Sequence, residues 1–330
     1  MSILTVKTFL KELGDDTGGQ SNPVVVIASD DHEYILKNEK IFTPQKTWQT
    51  WDCMFLQEIL VAQIGNYLKV PMPSTAIIDV EKVHIDVAPS LTFKHRYTPG
   101  KHFASKYLTE VENNLKIGYQ QLKQIKKPHT NTNWINFFKK IANPKDVSRI
   151  IAMDLLIANF DRFGNEGNLM ISNENGNRSV YAIDHGHAFF GASWEQLKIG
   201  HLSSISNDAS VLGNYLTYFQ QTSNYLFSGL GSIFRGIEQH IDCNDLANHD
   251  FVDVVNMIES IDGPMIDEWF KQIPDEFFKD KATQIATYKK FILINKKNVR
   301  SLLTMMQHLG AFSNTNGGEL LWREQRTGTQ

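Results

Sequence analysis

The sequence predicts an α+β protein of two lobes, a β-rich N-lobe followed by a mainly helical C-lobe. Three observations carry this. Residues 3–37 hold three short runs rich in β-branched and aromatic residues, separated by turn formers. From Ala104 onward apolar residues recur mainly at helical spacing. Within that helical part, residues 169–183 read as a β-hairpin, two apolar runs around the turn Glu174-Asn175-Gly176-Asn177. Thr98-Pro99-Gly100 breaks the pattern and is the candidate hinge, which gives an N-lobe of residues 1–98 and a C-lobe of residues 99–330.

Taken in order, Ile3 to Phe9 reads as the first strand, and Asp15 to Pro23 as a loop of small residues around Gly18-Gly19-Gln20-Ser21. Val24 to Ser29 is a buried strand, Asp30-Asp31 turns the chain, and Glu33 to Asn38 returns it, with Lys37 ending the strand. Asp52 to Lys69 places Phe55, Leu56, Ile59, Leu60, Ile64 and Leu68 at helical spacing with Glu58 among them, and Pro71 and Pro73 follow its end. Thr75 to Val80, Val83 to Val87 and Leu91 to Tyr97 read as strands. Trp134 to Ile141 and Pro144 to Ala158 read as helices, and Lys281 to Leu309 as the longest helix. The polar tail from Ser313 is expected to be mobile.

Composition narrows the class. Apolar residues make up 42% of the 330, enough for a sizeable core, and a net charge of −3 provides no basic field for direct nucleic-acid binding. Two cysteines far apart, Cys53 and Cys243, suggest neither a disulfide framework nor a cysteine zinc site. The N-terminus lacks the apolar core of a signal peptide, and no apolar run approaches the about 18 residues of a membrane span. The expectation is a cytoplasmic protein without a membrane span.

The chemistry is concentrated in residues 157–190. A helical run ends in Asn159-Phe160-Asp161-Arg162, a loop leads to Asn168, and the hairpin carries the chain to Asp184-His185-Gly186. The hairpin brings Asn168, before its first strand, near Asp184, after its second, with Asp161 just upstream. Each residue alone is ordinary turn chemistry. Their order fits phosphoryl transfer, which asks for a carboxylate to accept the proton of the attacking hydroxyl and hard oxygen ligands to hold Mg²⁺ on the phosphates. Asp161 suits the first task, and Asn168 and Asp184 the second. Asn165 also lies in the loop and either asparagine could be the ligand; Asn168 is preferred because it directly precedes a strand. In the N-lobe, Lys37 is the candidate phosphate-binding lysine, Glu58 its helix partner, and Gly18 to Ser21 a loop whose backbone N–H groups can cover phosphates.

These residues resemble the HipA-family kinases, in particular the smaller bacterial ones without an extra N-terminal subdomain. The resemblance rests on Gly18-Gly19-Gln20-Ser21-Asn22-Pro23, Tyr34-Ile35-Leu36-Lys37, Glu58 in a helix ending at Val70-Pro71-Met72-Pro73, Gly100 to Ser105, Asn159-Phe160-Asp161-Arg162, Asn168-Leu169, Ala182-Ile183-Asp184-His185-Gly186 and the late Ile273-Pro274. It implies a protein-kinase-like core, also seen in phosphatidylinositol 4-kinases, with ATP and Mg²⁺ as cofactors and a Ser or Thr hydroxyl of a protein as acceptor. It makes Asp161 the catalytic base together with Lys37 on the phosphates, Gly18, Gly19, Gln20, Ser21, Lys37 and Glu58 the nucleotide site, and Asn168 and Asp184 the metal ligands. It also raises autophosphorylation of Ser21, against the alternative that Ser21 only starts the turn into Asn22-Pro23, and leaves room for an antitoxin-like regulator. The loop from Asp161 to Asn168 is longer than protein kinases usually have. The alternatives are a lipid or small-molecule kinase, a nucleotide-binding pseudokinase or interaction protein, and a metal hydrolase built on Asp184, His185 and His187.

Overall fold

A computed structural model describes residues 3–13, 23–43, 45–112, 130–164, 167–222 and 231–322. The fold is α+β and two-lobed, with strands dominating the N-terminal part and helices the C-terminal part. Five strands close a small barrel: β1 (Ile3–Glu12), β2 (Val24–Ala28), β3 (Glu33–Leu36), β6 (Thr75–Val80) and β7 (Gly100–Lys106), in the order β1-β2-β3-β7-β6. β6 runs parallel to β1 and completes the ring; the other pairs are antiparallel. Val24, Val26, Tyr34, Leu36, Ile78 and Ala104 fill the interior, as strand alternation requires. A side hairpin, β4 (Lys40–Phe42) and β5 (Trp48–Thr50), follows β3.

Two segments expected as strands are helices. Lys82–Asp86 forms α2 and Pro89–Phe93 forms α3. Short apolar runs do not distinguish helix from strand by periodicity, and here local chemistry decides. Glu81 and His84 form a capping box, and Pro89 takes the first helical turn. Only Ile85 and Leu91 reach the barrel core, while Val83, Val87 and Phe93 face solvent. Thr98-Pro99-Gly100 leads into β7, which pairs with both β3 and β6.

Between the barrel and the helical lobe lies α1 (Met54–Leu68), which is buried on nearly all sides. It ends where Lys69 adopts a left-handed conformation and the Val70 N–H bonds the Gly65 carbonyl. The helical lobe comprises α4 (Thr130–Phe138), α5 (Asp146–Leu156), α6 (Gln196–Ser204), α7 (Ala209–Thr222), α8 (Gly231–Ile237), α9 (Val252–Ser260), α10 (Gly263–Lys271), α11 (Lys281–Asn295) and α12 (Val299–His308), with the hairpin β8 (Leu169–Ser172) and β9 (Ser179–Ala182) inserted after α5. The single long helix expected over 281–309 is two, α11 and α12. Asn295 donates to the Leu155 and Leu156 carbonyls at the end of α5, and Asn298 to the Ser206 carbonyl, which hold the turn between them. The tail expected to be mobile is docked as far as residue 322. Leu320 is buried, its N–H bonds Gln307, and the Trp322 indole donates to Thr304 at 3.1 Å. Among the described residues no helix is long and apolar enough to cross a membrane.

Candidate active site

The loop leaving α5 is wound around one ion pair. Asp154, in the last turn of α5, and Arg162 are both 0% exposed. The guanidinium donates to both carboxylate oxygens of Asp154, from Nε at 2.9 Å and from Nη2 at 3.1 Å. Asn159 adds a third donor to the same carboxylate at 2.9 Å. Bidentate, fully hydrogen-bonded geometry of this kind is what makes a buried pair tolerable. The remaining arm of Arg162 reaches outward: Nη1 donates to the carbonyls of Asn168 and Ile183, both at 2.6 Å. One buried arginine thus fixes the backbone at the start of β8 and immediately before Asp184.

On that base the polar side chains converge. Asn168 donates its amide N–H to the Asp161 carboxylate at 2.9 Å, so its amide oxygen is the end available to a cation. β8 and β9 pair Leu169 with Ala182, and the Ile183 N–H returns to the Asn168 carbonyl, which sets Asn168 and Asp184 side by side. Asp184 sits in the left-handed region at φ 59°, where a side chain leaves the strand direction. Its side chain is 37% exposed and so open to the cleft.

Across the cleft, β3 ends one residue before Lys37, and the Lys37 N–H is held by the Phe103 carbonyl of β7. The Lys37 ammonium pairs with Glu58 of α1 and with Asp184 Oδ1 at 3.0 Å. Burial by itself opposes the charged form of all three groups. The pairing outweighs it: Asp184 and Glu58 hold Lys37 above the usual lysine range, while Lys37 holds Glu58 below the carboxylate range and brings Asp184 to about 2. The site therefore keeps one cation and two carboxylates at neutral pH. Glu58 has a second task, since Oε1 accepts the His185 N–H at 3.1 Å.

The two histidines of the segment do not converge. His185 is buried with its ring 3.6 Å from Glu58, and burial pushes its imidazole pKa down; His187 stands edge-on to Trp51. Among the described residues no cluster of three His, Cys, Asp or Glu side chains could hold a metal. Asn168 and Asp184 present oxygen donors that could hold a hard divalent cation. Gly18, Gly19, Gln20, Ser21 and Asn165 lie outside the described residues.

The sequence reading missed Asp154 as the anchor of Arg162, although a carboxylate within the apolar run 150–158, just before Asn159, is a legible signal. It also missed Gln57 and Lys198, which support the Asp184 segment from α1 and α6 and carry no motif.

The description "HipA-like kinase" is that of the family that matches residues 13–217, more than half of the chain. The chain belongs to the HipA-like kinase family. The matched span of this HipA-like kinase contains Lys37, Glu58, Asp161, Asn168 and Asp184. A Helicobacter pylori proinflammatory kinase, CtkA, is similar in structure at 14% identity and a TM-score of 0.48, covering 91% of this chain and 93% of that one. A Golgi casein kinase with Mn/ADP bound is similar at 14% identity and a TM-score of 0.36, covering 94% of this chain and 74% of that one. No match was found among curated proteins.

Proposed function

We propose that this kinase transfers the γ-phosphoryl group of ATP, with Mg²⁺, to a Ser or Thr hydroxyl of a protein. The observation that carries the reading is the two-sided cleft, with the Lys37–Glu58–Asp184 ion network on one side and the Asp161–Asn168 hydrogen bond on the other. In this reading Lys37 binds the phosphates, and Glu58 keeps its ammonium aimed into the cleft. Asn168 and Asp184 hold Mg²⁺, which when bound neutralises charge on the β- and γ-phosphates. Asp161 orients the acceptor hydroxyl, whose oxygen bonds to the γ-phosphorus as the bond to the bridging oxygen breaks. The hydroxyl proton passes to Asp161, and ADP leaves. The Asn168 amide on the Asp161 carboxylate keeps that base aimed. The family resemblance supports a protein acceptor over a lipid or small molecule.

Two substitutions separate the roles. Asp184→Asn replaces a charged oxygen ligand by a neutral one and is expected to abolish the Mg²⁺-dependent part of ATP binding in calorimetric titration. Asp161→Asn is expected to leave MgATP binding intact and to slow phosphate transfer, followed with labelled ATP and phosphoamino acid analysis, by about 10²- to 10⁴-fold. Wild-type Mg²⁺ dependence in the first variant, or wild-type transfer in the second, removes the assignment.

A further inference from the structure

Behind the Asp184 segment lies a buried polar cluster that the transfer chemistry does not use. Lys198 of α6 is 1% exposed. Its ammonium donates to Gln57 Oε1 and, at 2.5 Å, to the Gly191 carbonyl, and it lies over the Tyr288 ring. The Tyr288 hydroxyl donates to the same Gln57 oxygen at 2.9 Å. With its oxygen occupied by two donors, the Gln57 amide turns its NH₂ to the Gly186 carbonyl at 2.5 Å. Neighbouring side chains of α1 thus grip one turn from both ends. Glu58 takes the His185 N–H, and Gln57 takes the Gly186 carbonyl.

A glutamine amide can point either way, and what faces it decides. A tyrosine hydroxyl donates or accepts, so Tyr288 tolerates both orientations. An ammonium only donates. If the amide turned over, its NH₂ would meet the Lys198 ammonium and its oxygen would meet the Gly186 carbonyl. Lys198 and the Gly186 carbonyl therefore both oppose the turned-over state, and Lys198 is the side chain that does so. The segment it steadies needs holding: Phe189, Phe190 and Gly191 have φ of 56°, 67° and 120°, three successive residues in the left-handed region.

We propose that Lys198 is a positioning residue for the Asp184-His185-Gly186 turn, acting through Gln57, whose amide it orients onto the Gly186 carbonyl. Its kinetic consequence rests on the kinase reading; its structural consequence does not. Two variants test it. Lys198→Met removes the ammonium and keeps the stem, leaving the Gly191 carbonyl without that donor at a cost of about 1–3 kcal/mol. Gln57→Glu keeps an acceptor for Lys198 and Tyr288 but offers no N–H to Gly186. Hydrogen–deuterium exchange of the nucleotide-free protein reads the turn directly, because the N–H groups of His185, Ala188, Phe189 and Gly191 are all hydrogen-bonded. Both variants are expected to speed exchange over residues 185–191 by about 10-fold or more and to lower kcat about 10- to 100-fold, with cooperative thermal unfolding retained. Wild-type exchange in Gln57→Glu overturns the proposal. Faster exchange in Lys198→Met alone also overturns it, by assigning Lys198 to packing. If the wild type binds no Mg-nucleotide, the kinase reading fails while the exchange comparison still decides the role of Lys198.

Discussion

The two halves of the site are built by opposite means. Asp161 and Asn168 stand on a local module: the bonds from Asn159, Arg162 and Asn168 that hold it span five, eight and seven positions. Asp184 shares that module's hold on the Ile183 carbonyl, but its side chain and the turn after it are held from far away. Its bond to Lys37 spans 147 positions, that of Glu58 to His185 spans 127, and that of Gln57 to Gly186 spans 129. The Asp161–Asn168 side can therefore form as soon as α5 and the hairpin form. The Lys37–Glu58–Asp184 network exists only when α1 and the barrel have packed onto the hairpin. A chain built in this way couples the Asp184 side, more than the Asp161 side, to the packing of the lobes.

The largest break is expected at the root of the local module. Arg162→Met leaves the Asp154 carboxylate buried without a counter-charge, at a cost of about 3–5 kcal/mol in urea unfolding. Adding Asp154→Asn should recover part of that loss, because the stranded charge goes too. Full additivity of the two changes would show that the pair is not the unit proposed.

A smaller, pH-resolved effect is expected on the long-range side. Burial lowers the Lys198 pKa from 10.5 to about 8, against the opposing pull of Cys53, Asp52 and Glu195. Between those values the unfolded chain binds more protons than the folded one, so wild-type stability should rise with pH from 8 to 10.5 by up to about 3 kcal/mol. Lys198→Met lacks this rise. Tyr288 and Cys53 are common to both proteins, so the difference between the two stability curves reads the lysine together with its coupling to Cys53. Parallel curves across that window would mean the amine is not desolvated.

The smallest break is at Gly186. A β-carbon there would stand 2.5 Å from Met54 Cγ of α1, so the turn sits this close to the helix as glycine. Gly186→Ala makes the buried Met54 side chain shift from its Cγ outward, at a cost of about 1–2 kcal/mol. The comparison sharpens in how that cost is felt: Mg²⁺-dependent nucleotide binding should weaken, while exchange protection around Asp161 stays unchanged. Equal loss on both sides would mean that the two halves are one unit.

The order of Asp161, Asn168 and Asp184 along a loop and a hairpin was legible in the sequence, because it rests on period-two strands, turn formers and bonds over a few residues. The strand runs of the barrel and the apolar spacing of α1 were legible for the same reason. Glu58 could be singled out as a polar residue within that spacing, but its ion pair with Lys37 is a matter of packing. Val83–Val87 and Leu91–Tyr97 were misread because one helical turn and one short strand bury apolar residues alike, and a capping box and a proline settle the choice. The break between α11 and α12 depends on carbonyls that α5 and Ser206 present to Asn295 and Asn298. Gln57 and Lys198 are ordinary helix residues in sequence. Only the packed lobes surround Gln57 with Gly186, Lys198 and Tyr288, since these partners stand more than a hundred positions from it and no local pattern encodes that meeting.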